Sequence, residues 1–258
     1  MAPNAAMDAP AAFPKIGPGI PAGYLGKNLP DSLRLLPPPP AMDGAGFGHD
    51  QAVHDAAQAL KGTPRYALAT ADADLRMPHA TSTFQCALGM AITPADTPRL
   101  YLLMQRVMVD AGLATYAAKN HYRRIRPFVH YNEHTCLAAD EAALRNDGSY
   151  PSGHTSLGWA WGLVLAELAP DRADAVLARA RAFGESRLVC NAHWQSDVLE
   201  GRALGAGVVA RLHADQAFQS DLQAARGEIA ARHGTGKPSD AGCAAEAEAL
   251  EVRIPGVL

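Results

Sequence analysis

At 258 residues and a net charge of −3, the chain is long enough for one large domain or two small ones. It carries no overall basic field to draw a nucleic-acid polymer. Apolar residues make up 48%, ample for a core, yet no apolar run approaches the roughly 18–20 residues that a spanning helix needs; the best candidate, Leu157 to Ala166, contains Gly158 and Gly162 and stops at Glu167.

Met1 to Pro14 is an Ala/Pro-rich tract without the basic-then-apolar pattern of a signal peptide. It reads either as a native flexible start or as the front of a mature exported chain carrying a new Met. The Pro/Gly-rich stretch 1–45 ends in Pro37-Pro38-Pro39-Pro40. It is incompatible with a regular helix and is expected to lie extended, on or beside the domain.

From His49 onward helix-compatible patterns dominate. Asp50 to Lys61 places Val53, Ala57 and Leu60 on one face. Asp96 is expected to cap a long helix carrying Leu100, Leu103, Met104, Val107 and Met108 towards Lys119 and Arg126. Ser152 to Leu168 reads as a buried helix. Asp171 to about Phe183 reads as an amphipathic one, with Val176, Leu177 and Ala180 inward. His193 to about His213 and Asp215 to Arg232 complete the set. No stretch alternates apolar and polar residues at period two, so the expectation is an all-α domain of about eight helices over 46–233. The tail 234–258 opens on Gly234, Gly236 and Pro238 and then permits one loose Ala/Glu helix.

The four cysteines, Cys86, Cys136, Cys190 and Cys243, form no CxxC pair, which argues against a structural zinc site. Two disulfides in any of three pairings, or four buried free thiols, fit the count; composition leans to the thiols.

Three short segments carry chemistry. Lys119 and Arg126 lie seven apart, which on one helix puts them on nearly the same face two turns apart, with Pro127 ending that helix. The plain alternative is a solvated basic helix end. Pro151-Ser152-Gly153-His154 follows the turn-forming run Asn146 to Tyr150 and opens a helix. Ser and Gly in a first turn expose backbone N–H groups, a ready anion site beside His154; an ordinary cap is the alternative. Ser186-Arg187 precedes His193, and Asp197 follows four residues on. On a helix that spacing lets the carboxylate hold one ring nitrogen and leaves the other unprotonated and nucleophilic. Trp194 reads as a core residue.

In this order the segments match K-x6-R-P … P-S-G-H … S-R-x5-H-x3-D. The chain therefore resembles the phosphatidic acid phosphatase type 2 and vanadium haloperoxidase superfamily. Gly148 to Thr155, Ser186 to Cys190, His193 to Val198, and Pro30-Asp31-Ser32 with Leu35 to Pro40 are similar to the blocks of class A bacterial non-specific acid phosphatases. The likeness runs from about Tyr24 to about Arg226.

The resemblance implies an all-helical periplasmic phosphatase, often a homodimer, acting on small phosphate monoesters without cofactor or metal and inhibited by phosphate and vanadate. It implies His193 as nucleophile, Asp197 as its orienting carboxylate and His154 as proton donor and acceptor. Lys119, Arg126, Arg187, Ser152 and Gly153 are then the phosphate ligands, including the Ser152 and Gly153 N–H groups. In an oxidising compartment it also implies a Cys136–Cys190 disulfide. A vanadium-dependent haloperoxidase shares nearly the same pocket residues, and a non-catalytic anion-binding or metal-binding helical protein is the alternative of a different class.

Overall fold

The computed structural model describes residues 15–17, 20–232, 236 and 238–257. The Met1 to Pro14 tract and the breaker Gly234 lie outside the described residues. The fold is all-α apart from one short antiparallel ladder, Lys15–Gly17 with Ile20–Pro21. Among the described residues eight helices run ten residues or more: α1 Ala45–Gln58, α2 Pro64–Ala73, α3 Pro98–Leu113, α5 Gly153–Leu168, α6 Ala173–Val189, α7 Gln195–Leu212, α8 Gln216–Ala231 and α9 Asp240–Glu251. The seven-residue α4, Tyr116–Tyr122, follows α3.

Helix α5 is central and packs against α3, α6 and α7. Small residues let its neighbours come close. A Cβ on Gly205 of α7 would stand 2.5 Å from the Ser156 carbonyl, and one on Gly201 2.7 Å from the Ser152 carbonyl. Trp161, fully buried, donates its indole N–H to the Met104 carbonyl of α3 at 2.8 Å. A second apolar cluster joins Val53 and Ala57 of α1, Ala69 and Ala73 of α2, and Leu188 to Val198 around the α6–α7 turn.

The Pro-rich segment before α1 is more firmly built in than its composition indicates. Leu25 and Leu36 are buried in the main cluster. Asp110 of α3 accepts the Tyr24 and Leu25 N–H groups at 2.7 and 3.2 Å. Ser32–Leu35 forms one helical turn capped by the Asp31 side chain.

Helix starts use local and tertiary acceptors. Thr63, Ser152, Asp215 and Ser239 cap α2, α5, α8 and α9. Asp96 does not cap α3. It bonds with Thr93 and pairs with Arg232, while Glu228 of α8 accepts the N–H groups of Arg99 and Leu100 at 3.2 and 2.9 Å. The expected continuous helix through Lys119 to Arg126 is broken twice, after Leu113 and at Arg123, whose φ of 44° is left-handed.

All four cysteines are paired, Cys136 with Cys190 and Cys86 with Cys243. The lean towards free thiols is therefore corrected, since packing brings together residues that spacing alone leaves unmatched. Closing loops of 54 and 157 residues restricts the unfolded chain by roughly 4–5 kcal/mol each in the chain-entropy account.

Candidate active site

The three segments converge, though not as helix spacing suggests. Lys119 sits in the last turn of α4. Arg126 is the N-cap of a separate turn, Pro127–His130, so Pro127 begins a helix rather than ending one. What unites the two cations is Asp147: its Oδ2 accepts from Lys119 Nζ at 3.0 Å and from Arg126 Nη2 at 2.8 Å. Gly148 follows, and its carbonyl also accepts from Lys119 Nζ. A Cβ at Gly148 would stand 2.6 Å from the Lys119 carbonyl, so only glycine allows this loop to lie so close.

His193 is not on a helix. Asn191, at φ 59°, turns the chain after α6, and α7 starts only at Gln195. Asp197 lies in the first turn of α7, where Oδ2 accepts the Trp194 N–H at 2.8 Å and the Ser149 hydroxyl at 2.5 Å. The same oxygen lies 3.4 Å from His193 Nδ1, and Oδ1 is held by Arg124 Nη1 at 2.6 Å. A cap therefore places the carboxylate.

On the other side of the ring, Arg126 Nη1 lies 2.9 Å from His193 Nε2. A guanidinium only donates, so Nε2 must present its lone pair and the ring proton belongs on Nδ1, facing Asp197 and Ser149. Burial, with Arg126, Lys119 and Arg187 close by, pushes the His193 pKa well below its ordinary range. Both effects favour the neutral ring, with the Nε2 lone pair turned to Arg126.

Arg187 arrives from the last turn of α6, which continues beyond Phe183 to Val189. It is 3% exposed, yet its Nε and Nη1 have no hydrogen-bond partner in the protein. Burial and the neighbouring Arg126 lower its pKa from 12.5 to about 9. Burial and Arg126 likewise lower Lys119 from 10.5 to about 8, against the pull of Asp147. Buried charges of one sign with unused donors are costly unless an anion meets them.

Ser152 is the N-cap of α5. Its hydroxyl oxygen accepts from the Thr155 N–H and hydroxyl, leaving its own proton to donate. Its backbone N–H is committed to the Asp197 carbonyl at 2.9 Å. The expected role of that N–H as a phosphate donor is thus corrected. Gly153 and His154, in the first turn, have N–H groups with no intrahelical acceptor. His154, half-buried and stacked on Phe183, has Nε2 3.0 Å from the Ala73 carbonyl. That carbonyl must accept, so Nδ1 is the atom left for proton exchange. Burial, then Arg187, hold the His154 pKa well below its ordinary value. His154 also lines a cavity of about 580 Å³ walled by Leu75, Met77, Met108 and Leu137, with Asp140 among its lining residues.

The structure adds residues that the motifs do not announce. Arg124 links Asp197 to Asp50 of α1, whose Oδ2 it meets at 2.7 Å, and Asp50 also takes the Ser196 N–H and hydroxyl. Ser149 and Asp147 stand inside the turn before Pro151; Asp147 was visible only as a turn former and Ser149 only as part of the Gly148–Thr155 block, neither with a role. Asp50 has no sequence signal. The Cys136–Cys190 bond lies beside this junction, with the Cys136 N–H donating to the Cys190 carbonyl at 3.3 Å.

Residues 100–220 match the PAP2 superfamily. A non-specific acid phosphatase of Providencia stuartii is 45% identical over 201 residues, covering 78% of this chain and 81% of that protein. One of Salmonella typhi is 43% identical over 77% of this chain and 80% of its own length. An acid phosphatase of Zymomonas mobilis is 41% identical over 85% and 83%. Among solved structures, a bacterial vanadium-dependent iodoperoxidase aligns with a TM-score of 0.49 at 18% identity, over 70% of this chain and 53% of that one.

Proposed function

The chain belongs to the bacterial non-specific acid phosphatases of the PAP2 superfamily, phosphoric monoester hydrolases, and from that premise we propose that it works through a phosphohistidine on His193. The observation that carries the proposal is the buried Arg187 guanidinium, with two unpartnered donor nitrogens, in one electrostatic group with Lys119, Arg126 and His193 Nε2.

In this reading the phosphoryl oxygens take the unused Arg187 donors, Lys119 Nζ, Arg126, the Ser152 hydroxyl and the Gly153 N–H. Fixed cations around the equatorial oxygens supply most of what phosphoryl transfer requires, which is positioning and charge. The His193 Nε2 lone pair forms the N–P bond as the ester P–O bond breaks. The leaving oxygen takes a proton from His154 Nδ1. Water then attacks phosphorus, His154 Nδ1 recovers a proton, and the N–P bond breaks to release phosphate. An alcohol in place of that water gives transphosphorylation.

Asp197, anchored by Arg124, Ser149 and the Trp194 N–H, keeps the His193 ring oriented and balances its positive charge in the intermediate. The cavity beside His154 is where the leaving alcohol lies, because the proton donor must touch the leaving oxygen. Both histidines are neutral in the free protein, and a bound phosphoryl dianion raises both pKa values by attraction. Substrate thereby promotes the protonation that His154 needs.

The pairing of all four cysteines supports an oxidising compartment such as the periplasm. A homodimer, and inhibition by phosphate and vanadate, rest on the family resemblance. Sedimentation and inhibition assays test them.

The decisive experiment follows p-nitrophenyl phosphate hydrolysis from about pH 4 to about pH 9, with and without EDTA, in wild type and His193→Ala. EDTA-resistant activity that peaks in acid and vanishes in the variant is expected, with 32P trapped on His193 after an acid-avoiding quench. Substantial turnover by His193→Ala would sink the nucleophile assignment. Loss of activity in EDTA would sink the three-cation account.

A further inference from the structure

A second buried ionic cluster stands behind the phosphate pocket. Arg65, Asp72 and Arg179 are each 2–3% exposed. Arg179 grips Asp72 with both terminal nitrogens, at 3.1 and 2.5 Å. Asp72 Oδ2 also accepts the Ser186 hydroxyl at 2.6 Å, and Arg65 donates to the Ser186 oxygen at 2.9 Å. Asp72 thereby ties the end of α2 to the last turns of α6.

Both ends of this tie adjoin the reaction. The residue after Asp72 is Ala73, whose carbonyl holds His154 Nε2 at 3.0 Å. The residue after Ser186 is Arg187. A shift of Asp72 therefore moves the acceptor that aims the proton donor and the turn that presents the third cation.

The fourth member of the cluster comes from the far end of the chain. Glu246 of α9 pairs with Arg179 Nε at 3.1 Å, which gives that guanidinium a second carboxylate beside Asp72. Helix α9 lies outside the superfamily match, and Ala249 is its one buried residue. Cavities of about 290 and 400 Å³ flank its contact with the domain. It is held by the Cys86–Cys243 bond, three positions before Glu246, by the ion pair, and by a short contact with α2 that buries Ala249. A helix with so little apolar contact contributes little to the core. What it does contribute is a charge placed on Arg179.

We propose that the C-terminal helix is a positioning element of the catalytic site: Glu246 holds Arg179 on Asp72, and Asp72 fixes both the Ala73 carbonyl that orients His154 and the Ser186–Arg187 turn. The inference rests on His154 as proton donor and His193 as nucleophile. Without Glu246, Arg179 keeps Asp72 as its one carboxylate partner and loses the partner on its Nε side. The constraint on Asp72 then slackens and His154 loses its fixed aim.

The test uses the full chain as Glu246→Gln and, separately, as Cys86→Ser/Cys243→Ser, with near-UV circular dichroism confirming folded protein at the assay temperature. Reductant is avoided because it also opens Cys136–Cys190 next to the pocket. Turnover is compared on p-nitrophenyl phosphate, whose leaving group needs little protonation, and on glycerol 2-phosphate, which needs much. Weakened general acid catalysis lowers kcat/KM, which reports the ester-cleaving step alone, by about tenfold or more on the alkyl ester and by about threefold or less on the aryl ester. The split should follow that of His154→Ala, and the inhibition constant for inorganic phosphate should rise as the Arg187 turn loosens. Equal losses on both esters, or no loss, overturn the proposal and leave α9 a structural appendage. If wild type fails on both esters, or His193→Ala retains turnover, the histidine reading itself fails and the proposal falls with it.

Discussion

Replacing Arg187 by methionine is expected to stabilise the phosphate-free protein while destroying its activity. Arg187 is buried, with Nε and Nη1 unpartnered. Its pKa falls from 12.5 to about 9, and at about 1.4 kcal/mol per pH unit that corresponds to roughly 5 kcal/mol from burial and repulsion by Arg126 together. The guanidinium stays charged at neutral pH, so the folded protein carries this penalty throughout the physiological range. Methionine has similar reach, no charge and a flexible apolar stem. Allowing for partial hydration at the pocket and imperfect packing, a gain of about 1–3 kcal/mol is expected. Lys119 has the same sign: its folded value of about 8 lies below 10.5, so its penalty is complete below about pH 8 and eases as pH rises towards 10.5.

Urea unfolding with the disulfides intact measures the gain directly. Phosphate at about a hundred times its Kd should add about 2.7 kcal/mol to wild type, and much less to Arg187→Met. A variant less stable than wild type in phosphate-free buffer, or one stabilised by phosphate as strongly as wild type, would refute the claim that this cation awaits an anion.

Three further outcomes follow from the same geometry. In the free enzyme, kcat/KM should fall above about pH 8 as Lys119 loses its proton, and should rise towards acid because His154 and its depressed pKa must bind one. Bound phosphoryl dianion raises both values, so the kcat profile lies at higher pH; coincident profiles, or a rate that climbs into alkali, would contradict these roles. Asp147→Asn removes a carboxylate that competes with phosphate for Lys119 and Arg126, so the inhibition constant for phosphate should drop by about tenfold. An increase would show that Asp147 instead organises the cations. Gly148→Ala drives a methyl group into the Lys119 carbonyl, 2.6 Å from the ideal Cβ; kcat/KM should fall by about a hundredfold, with a thermal midpoint lowered by only a few degrees for about 1–2 kcal/mol of strain.

Much of the helical frame was legible because its signals are local. Ser152 ahead of an apolar run and Asp215 ahead of Gln216 mark helix starts that the structure confirms. The interruptions were harder. Nothing in the run Leu100 to Arg126 announces a left-handed Arg123, because that conformation is held by contacts the loop makes elsewhere, including the Ser149 N–H on the Arg124 carbonyl. The Asp96 cap failed for a related reason: Glu228, 128 residues away from Leu100, supplies the acceptor.

The site divides in the same way. Residue identity fixed which groups exist: three cations, two histidines, a carboxylate and a serine–glycine helix start, in an order that matches the superfamily signature. Only tertiary packing decided that Arg126 meets His193 Nε2 while Asp197 faces Nδ1, which assigns the lone pair to Nε2. Packing also decided that Asp147 bridges Lys119 and Arg126, that all four cysteines pair, and that a glutamate in the last helix reaches the arginine behind the pocket. Helix ends and motif spacing depend on near neighbours along the chain, which the sequence records. Hydrogen-bond direction, burial and disulfide partnership depend on groups brought together from distant segments, which only the folded chain records.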